Sequence, residues 1–79
     1  MAKHYRIELD KDDLAQLLDG LEIRAESWRR TAEYMRTGEL PEGELFIIEE
    51  CSDAEEADWL SNHYESIIES IQRQMEAQE

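Results

Sequence analysis

Seven apolar residues, Leu14, Leu18, Leu21, Ala25, Trp28, Ala32 and Met35, recur along this chain at alternating steps of four and three. That is a heptad seam, and on a helix of 3.6 residues per turn it lies as one stripe along one side. The seam predicts a helix over 11–37, with Leu17 beside the stripe, and a stripe this long needs another helix to cover it. The flanks agree. Asp10 stands where an N-cap belongs, with Asp12 and Asp13 in a first turn that favours negative charge. Leu9 before the cap and Leu14 after it match a hydrophobic staple. Gly38 occupies the position of a left-handed C-cap, and Arg29, Arg30 and Arg36 lie toward the negative helix end.

A second stripe, Ala57, Leu60, Tyr64, Ile67, Ile68, Ile71 and Met75, predicts a partner helix over 53–77. Its opposite side carries Glu55, Asp58, Asn62, Glu65, Glu69, Arg73 and Glu76. Ser52 with Glu55 three residues on reads as a capping box at its start. Two short segments have strand character. Residues 4–9 alternate polar and apolar, which places Tyr5, Ile7 and Leu9 on one face. Leu45 to Ile48 is a continuous apolar run of β formers, which fits a strand covered on both faces or one paired across a subunit boundary. The loop of 37–43, with Gly38, Pro41 and Gly43, separates the halves. The expected fold is α+β: two long helices in an antiparallel hairpin against a small sheet of two short strands.

A chain of 79 residues makes one domain, 1–79, near the lower size limit for independent folding. No disulfide can staple it, because Cys51 is the single cysteine. Oligomerisation is the remaining device, and a homodimer is expected. Ile23 and Tyr34 fall almost opposite Leu14 on the first helix, and Trp59 lies off the buried stripe of the second. These three are assigned to a dimer or partner interface, where Tyr and Trp are enriched. One unpaired cysteine and no signal-peptide pattern at the start predict a reducing, cytoplasmic location. No apolar run approaches the ~20 residues of a membrane span.

Charge is concentrated. Nine acidic residues and no Lys or Arg lie between Glu39 and Asp58, in a chain of net charge −13. A block of one sign sets up a field that draws in a basic partner, and it repels itself, so something must hold it in place. The same sign argues against direct nucleic-acid binding, which needs basic surface, and against anionic membranes. Glu49, Glu50, Asp53, Glu55, Glu56 and Asp58 straddle the junction into the second helix and are the expected partner-binding residues.

Chemistry-bearing motifs are absent from the pattern. Cys51, His4 and His63 stand in no metal-ligand spacing, and the acidic turn lacks the order of a calcium loop, so no metal or cofactor is expected. Cys51 sits among carboxylates that raise a thiol pKa, which makes it a poor nucleophile. With no phosphate loop and little room for a desolvated pocket, the chain reads as a non-enzyme. Arg24, Arg29 and Arg30 form the one basic cluster, with Glu26 to Arg30 a favourable i,i+4 pair.

The acidic block 39–58 and the acidic stripe of the second helix resemble, as a class, the small acidic inhibitors of phages and mobile elements, including anti-CRISPR proteins and other DNA mimics. The resemblance implies a non-enzymatic inhibitor that occupies the nucleic-acid channel of a basic, nucleic-acid-handling protein and blocks DNA binding. Two other readings stand beside it. A dimer could sequester a nucleotide or other anion at Arg24, Arg29 and Arg30, or an accessory subunit could bind a larger partner through Tyr34 and Trp59.

Overall fold

The computed structural model describes residues 3–39 and 49–79. Two helices account for its regular structure: α1, Lys11–Thr37, and α2, Ala54–Gln78. They form an antiparallel hairpin, because Arg36 near the end of α1 pairs with Asp58 near the start of α2. At the other end Leu14 and Met75 line one cleft. The helix ends follow from capping chemistry. Asp10 Oδ1 accepts from the Asp13 N–H at 2.8 Å, satisfying one of the first-turn donors. Gly38 closes α1 at φ 74°, and its N–H donates to the Tyr34 carbonyl at 2.7 Å.

The α+β expectation is overturned: among the described residues there is no strand and no sheet. Residues 3–10 run without regular structure, and Tyr5 and Ile7 are 75% and 77% exposed. Their alternation is real, but a strand is held only by a neighbouring strand. Among the described residues no main-chain hydrogen bond joins 4–9 to another segment. The Leu45–Ile48 run lies outside the described residues, as do 40–43 of the expected loop.

The start of α2 is shifted by one residue. Its N-cap is Asp53, not Ser52: Asp53 Oδ1 accepts from the Glu56 N–H at 2.8 Å. Glu56 Oε2 in turn accepts from the Ser52 N–H at 2.9 Å. Asp and Ser both cap well, so adjacent candidates compete, and here the carboxylate takes the cap.

The core is concentrated at the closed half of the hairpin, near the inter-helix connection. Trp28, Ala32 and Ala57 form its centre, with Cys51, Leu60 and Tyr64 packed around it. Ala25, Ala32 and Ala57 are buried almost completely. Small side chains there bring the two backbones close enough for Ser61 Oγ to donate across to the Ala25 carbonyl at 3.2 Å. Ile68 is also buried, whereas Leu14, Leu18, Leu21, Ile71 and Met75 of the seams are only half-buried. The hairpin is tightly closed at one end and loosely covered at the other.

Candidate functional site

The expected partner-binding carboxylates divide into those the fold engages and those it leaves outward. Glu49 is engaged twice. Its side chain pairs with Arg24 Nε at 3.1 Å, and its N–H donates to Thr31 Oγ1 at 3.0 Å. Thr31 is fully buried and donates its own hydroxyl to the Ser27 carbonyl at 2.8 Å, so one side chain ties the chain entering α2 onto α1. Asp53 and Glu56 are occupied by the helix cap, and Asp58 by Arg36. Glu50 and Glu55 remain exposed. The junction is therefore held by its carboxylates, which answers how a dense acidic block persists in a folded chain.

The basic cluster is likewise engaged from within. Arg24 pairs with Glu49 and lies over the buried Trp28 ring, 5.7 Å from its centroid. Arg29 and Arg30 both meet Glu26, Arg30 Nε at 2.9 Å. The expected Glu26–Arg30 pair is present, while Arg29 turns back to Glu26 rather than forward to Glu33. Each of the three guanidinium groups thus already has a carboxylate on this chain.

Of the three off-seam apolar residues, Ile23 and Trp59 are 69% and 62% exposed, while Tyr34 is half-buried. Trp59 stacks on His63 with ring centroids 5.0 Å apart and planes 7° from parallel. At about 100° per residue, Trp59 falls ~40° from Glu55 and beside Ser66 and Arg73. The outward side of α2 therefore carries an exposed, pre-stacked aromatic pair with Glu55 beside Trp59, while Glu69, Glu76 and Glu65 fall about 80°, 100° and 120° round the helix from Trp59, on the flank away from His63. Among the described residues none of those four glutamates forms an ion pair. Of these four the sequence assigned Glu55 to partner binding, with the junction carboxylates, and placed Glu65, Glu69 and Glu76 only on the side opposite the buried stripe. The missed signal was that junction carboxylates beside a helix start are consumed by capping.

Cys51 is half-buried against the core. Desolvation raises its thiol pKa above the ordinary value, and the nearby charges of Glu56 and then Asp53 raise it further, against a small opposing hydrogen bond to the Asp53 backbone. Its Sγ lies 3.1 Å from Met35 Sδ. Both the direction and the cause named from the sequence, carboxylates, are present, but burial leads and the acids are Glu56 and Asp53. Trp28 Nε1 is the buried side-chain polar atom without an acceptor among the described residues.

Among the described residues no group of three or more His, Cys, Asp or Glu stands together as a metal site. Nor is any helix there long and apolar enough to cross a membrane. No family model matches the chain, and no curated protein or solved structure matches it.

Proposed function

We propose that this protein is a non-enzymatic inhibitor that docks the outward face of α2 onto the basic, nucleic-acid-binding surface of a protein. The observation that carries the reading is the exposed Trp59–His63 stack, with Glu55 beside it and Glu65, Glu69 and Glu76 along the adjoining flank of the helix. An exposed Trp is a typical interface anchor, and one already stacked loses less rotamer freedom on binding. From Glu55 to Glu76 the helix runs about 32 Å at 1.5 Å per residue, a span comparable to a basic groove built for a polyanion. The acidic flank steers encounter, and the aromatic pair beside it holds the complex. The arginine cluster supports an anion-binding role less well, because each guanidinium is met by a carboxylate of its own chain.

The test is affinity capture from a lysate of the native host, with duplex DNA added as competitor. Wild-type protein is expected to retain a basic nucleic-acid-binding protein that DNA displaces. Glu65→Lys with Glu69→Lys should slow association and flatten the salt dependence, and Trp59→Ala should speed dissociation. Neither change touches the buried stripe, so circular dichroism should show unchanged helix content. Retention that is indifferent to DNA, to the charge reversals and to Trp59→Ala would remove this face from the mechanism.

A further inference from the structure

We propose that residues 4–10 are a self-complementary pairing strand through which two copies of this chain associate antiparallel, with Ile7 on the two-fold axis. At the open end of the hairpin, Tyr5, Ile7 and Leu9 stand 75%, 77% and 46% exposed, over a cleft they share with Leu14, Ile71 and Met75. Among the described residues their main chain has no hydrogen-bonded neighbour. An alternating segment with unpaired N–H and C=O groups is a template for another strand.

The order of side chains selects the occupant. In an antiparallel pair centred on Ile7, Arg6 faces Glu8 of the second copy, Tyr5 faces Leu9, and His4 faces Asp10. The Arg6–Glu8 pairs are then opposite in charge, and the Tyr5–Leu9 and Ile7–Ile7 pairs are apolar on apolar, the combinations that stabilise neighbouring strands. Parallel in-register pairing would set Arg6 against Arg6 and Glu8 against Glu8, so the same pattern excludes it. The location suits approach of two acidic chains. Residues 3–13 hold Lys3, Arg6 and Lys11 against Glu8, Asp10, Asp12 and Asp13, so this end is close to charge balance in a chain of net −13. Pairing would lay the apolar faces of both strands over the loosely covered ends of both hairpins. A closed two-fold contact of this kind is isologous, the commonest symmetry of small oligomers. It uses the end of the molecule away from Trp59, so it leaves the aromatic pair free, and it meets the acidic flank only near Glu76, beside Met75 and Gln78 of the shared cleft.

The experiment is sedimentation equilibrium over a micromolar-to-millimolar series, on protein without an N-terminal tag. Wild type is expected to dimerise, more tightly as salt screens the net repulsion between copies. Arg6→Glu alone and Glu8→Arg alone each place like charges opposite one another at two symmetric positions, which should weaken the dimer roughly tenfold to a hundredfold. The double variant restores both pairs and should recover it. An equimolar mixture of the two single variants should form the heterodimer, since each supplies the charges the other lacks. As a second readout, Ile7→Cys in a Cys51→Ser background should oxidise to a covalent dimer faster than Tyr5→Cys, because only position 7 faces itself. A wild-type monomer throughout, a dimer indifferent to both reversals, or weakening with no recovery in either the double variant or the mixture would overturn the proposal.

Discussion

Thr31 shows how much one buried hydroxyl can organise. It sits inside the helix pair, donates a hydrogen bond to the Ser27 carbonyl of its own helix and accepts one from the Glu49 N–H, so the chain arriving at α2 is anchored on α1. Thr31→Val keeps the shape and removes the acceptor, which leaves the half-buried Glu49 N–H without its partner. Leaving such a donor unmet costs about 1–3 kcal/mol. Ser61→Ala removes a single neutral bond to Ala25 and should cost less, about 1 kcal/mol. Urea denaturation of both variants checks the order, and a larger loss for Ser61→Ala would contradict it. Cys51 offers a second test at this scale. Because desolvation and the Glu56 and Asp53 charges raise its pKa in the fold, the folded state binds the thiol proton more tightly than the unfolded chain. Stability from this group is thus present below the unfolded pKa and lost as pH rises toward the folded value, at the alkaline end of the range. Iodoacetamide alkylation should follow a pH profile displaced upward from that of a free cysteine, and Cys51→Ser should flatten the alkaline loss of stability.

At the scale of elements, the two helices are ended by side-chain chemistry that single substitutions can separate. Asp53→Ala removes the cap of α2 and should cost about 1 kcal/mol, whereas Ser52→Ala should be close to neutral. Thermal melts of the pair distinguish the cap seen here from the one expected one residue earlier. Gly20 and Gly38 form an equally sharp contrast. Gly20 lies inside α1 with open space where a Cβ would stand, so Gly20→Ala should stabilise by ~0.5–1 kcal/mol through helix propensity. Gly38 holds φ 74°, so Gly38→Ala forces an L residue into the left-handed region and should cost ~1–2 kcal/mol. Opposite signs for the same substitution would confirm that backbone conformation, not packing, decides both.

For the molecule as a whole the governing quantity is net charge. A chain of 79 residues at −13 repels itself, and its exposed inter-helix ion pair, Arg36–Asp58, returns only about 0–1 kcal/mol. Screening should therefore stabilise the fold. The melting temperature is expected to rise between ~0.01 M and ~0.15 M salt, over which the Debye length falls from about 30 Å to about 8 Å. Differential scanning fluorimetry at the two strengths decides it, and a fall would mean the ion pairs outweigh the repulsion. Salt also separates the two proposed contacts: docking of the α2 face on a basic protein should weaken with salt, while self-association through 4–10 should strengthen.

Helical periodicity and capping chemistry are local, and they were legible in the residues alone. The seam from Leu14 to Met35 and its caps at Asp10 and Gly38 place α1 at Lys11–Thr37, and the stripe from Ala57 to Met75 places α2 within one residue at each end. A helix satisfies its own backbone, so its sequence carries most of the information needed to draw it. The strand expectation failed at residues 4–9 for the converse reason: alternation describes a face, but a ladder requires a second segment at ~4.8 Å, which no one-dimensional pattern supplies. The same distinction divides the acidic block. Composition located its charge, but only the folded hairpin, by bringing Arg24, Thr31 and Arg36 of α1 against Glu49 and Asp58, decided which carboxylates are spent on structure. That in turn decided which ones, Glu55 beside Trp59 and Glu65, Glu69 and Glu76 along the outward side of α2, stay outside the ion pairs of the hairpin.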